Sequence, residues 1–277
     1  MSSVNVVLSG EETDGVVSLV LNELDSGWPG PPLHRHDFDE AFYGLDGELT
    51  CHLGDELVTA AAGQMVFAPR GAAHTLANRS DAPARYLLVI TPAGFERYFS
   101  ALAAGEEITA ELRATWPAVE TLGGQIDADA PASPLPEVER GRISVMLSGD
   151  ETGGVVSLMD NTTAPRFGGP PLHHHDFNEA FVVLEGEVTF RLGDEEILGG
   201  PGDFVHVPRG NVHCFQNRGE ATARIILTFT PSGMEKFFEE TLQRVVDPTT
   251  GPTEPVEVVA ARYAEAAPRH GLEFVQE

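Results

Sequence analysis

Cysteine is nearly absent from this sequence: Cys51 and Cys214 are the only two among 277 residues, one in each half. Two isolated thiols build neither a disulfide framework nor a closed thiolate zinc site, and they read as reduced side chains. Basic residues are scarce as well. Lys and Arg number 17 against 43 Asp and Glu, a formal charge of −26 that repels nucleic acid and anionic membrane. No apolar run approaches a membrane span, and MSSVNVVLSG has no basic stretch leading into an apolar core. A cytoplasmic location is therefore the expectation, and the surplus acid reads as solubility. What is present is 42% hydrophobic residues, enough for one large core or two of ordinary size.

An internal repeat decides between those. GPPLHRHDFDEAFYGLDGELTCHLGDE from Gly30 returns as GPPLHHHDFNEAFVVLEGEVTFRLGDE from Gly169, an offset of 139 residues. The register then holds. Gly63, Pro69, His74, Asn78, Thr91 and Pro92 recur as Gly202, Pro208, His213, Asn217, Thr230 and Pro231. About half of the positions between Val4 and Phe99 are identical between the copies. Within a copy, short β-rich segments alternate with turn signals, the pattern of a sandwich or barrel. Val16–Leu21, Glu48–Leu53, Met65–Ala68 and Arg85–Ile90 are strand candidates, with Gly54-Asp55 and Gly193-Asp194 as hairpin turns. Thr91 and Thr230 stand where helix N-caps are expected, with Pro92 and Pro231 at the first helical position.

These signals divide the chain into an N-terminal barrel with its closing helix (1–100), a helical and Pro/Ala/Asp linker (101–139), a C-terminal barrel with its helix (140–240) and a helical tail (241–277). In the linker Ile108, Leu112 and Trp116 share a helical face; in the tail Val256, Val259, Ala260 and Tyr263 do. Both are expected to pack on barrel exteriors.

Residues of equal parity in a strand face one side, so His34, His36, Phe38, Glu40, Phe42 and Gly44 point into a barrel if the DFD link keeps phase. The second copy offers His173, His175, Phe177, Glu179, Phe181 and Val183. His74 and His213 lie on separate strands behind Pro-Arg-Gly turns and are placed to bring a third imidazole across. Arg35, His174, His52 and Arg191 have the opposite parity and read as outward side chains. Cys214 reads as filler, His206 as a satisfied strand histidine, and Arg70 and Arg209 as rim or surface residues. Gly44 against Val183 implies a roomier first pocket.

The chain resembles the cupin superfamily. That family's first motif is HxH, then three or four residues, Glu, six residues and Gly, read here as His34-Arg-His36, Glu40, Gly47 and as His173-His-His175, Glu179, Gly186. Its second motif is matched by Gly63, Pro69, Gly71, His74, Asn78 and by Gly202, Pro208, Gly210, His213, Asn217. The glycine usual six residues before the first histidine is replaced by Trp28 and Phe167. The resemblance implies an all-β chain of two tandem jelly-roll barrels (double-stranded β-helices) with short flanking helices. It also implies one divalent transition metal per domain, bound by His34, His36, Glu40 and His74 and by His173, His175, Glu179 and His213.

Three imidazoles and a carboxylate suit Fe, Mn, Ni, Co, Cu or Zn and leave positions open for a substrate. Glu40 and Glu179 are the obvious catalytic bases. An oxalate-type substrate calls for a cation near the metal, whereas the in-facing positions are Phe38, Phe42, Phe177 and Phe181, which suit an apolar or aromatic small molecule. A quercetinase-like dioxygenase of a flavonol-like or enolised aromatic compound is the leading expectation. A cupin isomerase or polyketide cyclase and a non-catalytic binding protein are the alternatives; nucleic-acid and membrane partners are not expected, and the protein is a monomer or homodimer.

Overall fold

The computed structural model describes residues 3–138, 142–241 and 256–275, which divide into two compact units meeting at Val138/Glu139. In the first unit the chain runs through β1 (Ser3–Leu8), β2 (Ser18–Leu24), β3 (His34–His36), β4 (Asp39–Asp46), β5 (Glu48–Leu53), β6 (Glu56–Ala61), β7 (Met65–Ala68), β8 (His74–Ala77) and β9 (Ala84–Thr91). Helices α1 (Glu96–Ala104) and α2 (Ala110–Arg113) follow, then strands β10 (Val119–Thr121) and β11 (Ser133–Pro134). Two sheets form, in the orders β1-β2-β9-β4-β7 and β10-β3-β8-β5-β6-β11. Val20, Leu24, Phe42, Leu49, Leu76, Leu88 and Ile90 fill the space between them. Each such side chain contributes about 1.5–3 kcal/mol by leaving water.

The second unit repeats the plan with β12 (Ile143–Leu147), β13 (Ser157–Thr163), β14 (His173–His175), β15 (Asn178–Glu185), β16 (Val188–Leu192), β17 (Glu195–Gly199), β18 (Phe204–Val207), β19 (His213–Gln216) and β20 (Ala223–Thr230). It ends with α3 (Met234–Thr241), α4 (Val256–Ala266), a 3₁₀ turn (Ala267–His270) and β21 (Leu272–Phe274). Its sheets run β12-β13-β20-β15-β18 and β17-β16-β19-β14-β21. Among the described residues no helix is long and apolar enough to cross a membrane.

Three local expectations need correction. The closing helices start later than the Thr-Pro pairs imply, at Glu96 and Met234. Thr91 and Thr230 instead end strands, and their hydroxyls donate to the carbonyls of Val16 and Val155. Second, the linker helix is only four residues long, capped by the Thr109 hydroxyl accepting from Leu112 N–H. The residues beyond it turn into β10, which pairs with the histidine strand β3. Third, the tail likewise ends in a strand, β21, paired with the histidine strand β14. A three-residue strand carries too little periodicity to be read before its partner is known.

Candidate metal centre

The short strand β3 owes its place to Gly30. That residue has φ +78°, and a Cβ on it would lie 1.7 Å from the Leu76 carbonyl oxygen of β8; Gly169 repeats this with φ +78° and 1.8 Å to Phe215 O. Only a residue without a side chain lets the two backbones approach so closely. His34 then stands directly opposite His74, and His173 opposite His213. The turn after each second-motif histidine strand is tied by an asparagine. Asn78 donates to Asp25 O and Ala82 O, and Asn217 to Ala164 O and Ala221 O.

These constraints bring His34, His36, Glu40 and His74 into one group and His173, His175, Glu179 and His213 into another, with the candidate ligand atoms of each group within 4.8 Å of one another. Glu40 Oε2 lies 3.0 Å from His36 Nε2 and 2.9 Å from His74 Nε2, and those two nitrogens are 3.1 Å apart. In the second group Glu179 Oε2 lies 3.0 Å from His175 Nε2 and 2.9 Å from His213 Nε2. Glu40 is held well below the usual carboxylate range, at about 2; burial opposes its charge, but hydrogen bonds with His36 and His74 outweigh it. Glu179 is held at about 2 in the same way by His175 and His213. Burial pushes His34 down and His173 down to about 4, while the adjoining carboxylates overcome burial and raise His74 and His213.

The tautomers decide whether a cation fits. Nδ1 of His34, His36 and His74 lies 2.7, 2.9 and 2.9 Å from the carbonyls of Pro32, Phe38 and Ala72. A carbonyl only accepts, so each neutral ring carries its proton on Nδ1 and turns an Nε2 lone pair into the group. His173, His175 and His213 do the same against Pro171, Phe177 and Asn211. Three Nε2 atoms and a carboxylate crowded into one buried spot repel unless protons or a metal cation sit among them, and backbone-anchored imidazoles are the usual outer support of a metal ligand. Both donor sets fit a divalent transition metal.

Residues 20–90 and 162–229 match the cupin domain family. The chain belongs to the cupin family. As a bicupin it is 26% identical over 295 residues to quercetin 2,3-dioxygenase of Bacillus subtilis, covering 93% of this chain and 85% of that protein. A 60-residue stretch, 21% of the chain, is 32% identical to Tetracenomycin polyketide synthase protein TcmJ of Streptomyces glaucescens and covers 40% of it. Among solved structures, salicylate 1,2-dioxygenase from Pseudoaminobacter salicylatoxidans shares the fold with TM-score 0.59 at 13% identity, over 80% of this chain and 70% of that one. Oxalate decarboxylase of Bacillus subtilis does so with TM-score 0.55 at 17% identity, over 83% and 76%.

The two centres of this bicupin differ in access. A cavity of about 830 Å³ in the first unit reaches His34 and Glu40 and is walled by Trp28, Phe42, Leu76, Tyr86, Leu88, Phe95, Tyr98, Phe99 and Trp116. The segment Ala110–Thr121 forms part of its rim, with Arg113 the one cationic side chain on the wall. A second cavity, about 460 Å³, touches none of the other ligand set. It lies on the opposite-parity face of β16 and β19, between Thr189, Arg191, Cys214 and Gln216. In the second unit Phe177, Phe215, Phe229, Met234, Phe237, Ala266, Ala267 and Leu272 join one continuous core, and the Phe274 ring lies 6.3 Å from His173. His34 is accordingly only half-buried, whereas His173 is buried.

Of the in-facing positions, Phe42 lines the first cavity as expected. Phe38 is fully buried and stacks on the His36 ring at 3.5 Å, as Phe177 does on His175 at 3.8 Å, so these two brace ligands instead of facing open space. Phe181 and Val183 are core residues of the second barrel, Phe181 packed against Phe190 and Phe215. Gly44 does not widen the cavity. A Cβ there would lie 2.6 Å from Ala61 O, and the space is exchanged within the core: Val183 packs 3.2 Å from where a Cβ on Gly199 would be, the position that is Ala60 in the first copy. The cavity instead comes from what the flanking segments leave unfilled. Arg35 faces out and pairs with Glu120, and His174 lies 3.6 Å from Glu273. Burial pushes the Cys51 thiol up to about 12, which keeps it protonated. Arg70 clamps Asp39 at 2.7 Å, whereas Asn178 replaces that aspartate and accepts from the Arg209 backbone. His206 sits between the core residues Val205 and Val207 in sequence and so faces away from the core. The residues that the sequence did not single out are Tyr86, Tyr98 and Arg113, and Trp116, expected on a helix packed on the barrel exterior, lies beyond α2 and lines the cavity instead.

Proposed function

We propose that this bicupin is a metal-dependent oxygenase of a flavonol-like or enolised aromatic compound and that turnover takes place at the N-terminal centre. The observation that carries this reading is the aromatic cavity leading to His34 and Glu40. The similarity to quercetin 2,3-dioxygenase over 93% of the chain supports it. A cavity of about 830 Å³ falls within the range of small-molecule sites, and its walls suit a flat apolar ring system. A divalent ion held by His34, His36, Glu40 and His74 would act as a Lewis acid toward an enolate oxygen and toward dioxygen.

The protein's own contribution is positional. Glu40 Oε2 makes both imidazole contacts and Oε1 makes none among the described residues, so Oε1 is the atom to take the enol proton of a bound substrate. With a substrate filling the cavity, Phe42, Leu88 and Phe95 on its wall would exclude water around that oxygen and strengthen the charge interactions inside. Glu179 is enclosed in an aromatic and aliphatic core, and the C-terminal centre is assigned a structural role. Oxygen-electrode assays of the Fe, Mn, Ni, Co and Cu forms with a panel of phenolic compounds test the proposal. Oxygen uptake matched to substrate loss is expected from at least one form.

A second reading rests on the stretch similar to Tetracenomycin polyketide synthase protein TcmJ. In it the same centre polarises a carbonyl for isomerisation or cyclisation. Product formation without oxygen uptake would favour that reading over the first.

A further inference from the structure

Beside the ligand set, the wall of the N-terminal cavity carries the polar groups of Tyr86, Tyr98, Arg113 and Thr121, and of these Tyr86 lies deepest. This side chain is 3% exposed, lies on β9 and lines the cavity together with Glu40 and Phe42. Its ring packs 6.0 Å from that of Phe42, which in turn lies 6.1 Å from His74, so Phe42 neighbours both the phenol and a ligand of the group. The register partner of Tyr86 on the neighbouring strand β4 is Gly44. In the second copy the same pair is Ile225 and Val183, both core residues.

A buried phenol ordinarily finds a hydrogen-bond partner, because leaving the hydroxyl unpaired away from water costs free energy. Tyr86 has none among the described residues. An unpaired donor aimed into a cavity is matched by an acceptor that arrives with the ligand. Burial beside Glu40 also pushes the Tyr86 phenol up, so it stays a neutral donor across the physiological range.

We propose that Tyr86 is a substrate-positioning residue whose hydroxyl donates a hydrogen bond to an oxygen of the aromatic substrate in the N-terminal cavity, a contact that the C-terminal barrel, with Ile225, cannot make. This rests on the reading of that cavity as the site for an oxygenated aromatic compound. It narrows the substrate class to aromatic ring systems carrying a further acceptor oxygen within reach of Tyr86.

The chain's two tryptophans, Trp28 and Trp116, both line this cavity, so tryptophan fluorescence excited at wavelengths where tyrosine does not absorb reports on it. Metal-loaded wild type and Tyr86→Phe are titrated with quercetin and with naphthalene, a planar probe that has no acceptor, with correction for ligand absorbance. The expected result is quercetin affinity lowered about 3- to 10-fold in Tyr86→Phe, as for loss of one hydrogen bond to a neutral acceptor. Naphthalene affinity and metal content should stay within twofold, and kcat/KM should fall by the factor seen in binding. Equal quercetin affinities overturn the role of Tyr86 and leave the oxygenase reading standing. Loss of both probes makes Tyr86 a packing residue and overturns the proposal. Naphthalene binding without quercetin binding in either protein overturns the reading of the cavity and the proposal together.

Discussion

Replacing Gly30 by alanine tests the link between backbone approach and metal centre. The added Cβ would lie 1.7 Å from Leu76 O, where ordinary contact begins at 3.4 Å, so β3 must retreat from β8 by about 1.7 Å. Ligand distances in metal sites tolerate about 0.2 Å, and His34 is carried on the strand that moves. A left-handed φ costs a non-glycine residue about 1–2 kcal/mol and the overlap about 1–3 kcal/mol more, together about 2–5 kcal/mol. Gly54→Ala is the control: φ is +59°, and no atom lies within 4 Å of the added Cβ. It should cost only the conformational part, about 1–2 kcal/mol, and leave the metal in place. Urea denaturation followed by tryptophan fluorescence and elemental analysis read both effects. Gly30→Ala protein that keeps its full metal content and loses less stability than Gly54→Ala would refute the reasoning.

His36→Ala should remove one metal per chain and leave the other, because the two ligand sets share no residue; elemental analysis checks this. Glu40→Ala should abolish turnover while Glu179→Ala costs it little, measured at matched metal occupancy of the untouched centre; equal losses would contradict the assignment of catalysis to the N-terminal barrel. Metal affinity should fall with pH starting above about 6.5, since Glu40 and Glu179 raise His74 and His213, and a proton held more tightly competes with the ion at higher pH. Titration of metal binding between pH 5 and 8 reads this, and a flat profile would contradict it. Gly44→Val alone should destabilise the first barrel by about 1–3 kcal/mol through its overlap with Ala61 O, whereas Val183 is accommodated beside Gly199.

The repeat, the hairpins and both ligand sets were legible in the sequence because each rests on short-range spacing: β5 and β7 occupy the spans read for them, and His34, His36 and Glu40 sit within a few residues of one another. The Phe38 and Gly44 readings failed for a common reason. Strand parity tells which side a residue faces but not what already occupies that side, and there the His36 ring and the Ala61 carbonyl do. Tyr86 and Trp116 were illegible as site residues because their place in the cavity depends on how the segment from Phe95 to Thr121 folds back, a long-range contact with no local signature.

Metal stoichiometry tests the central claim most directly. Every imidazole in both groups is anchored through Nδ1 to a backbone carbonyl and turns its free nitrogen toward a buried carboxylate. Protein reconstituted with a divalent transition metal and freed of excess ion should hold two ions per chain by elemental analysis. A value near zero would contradict the account, and a value near one would show that only one of the two lone-pair clusters is a metal centre.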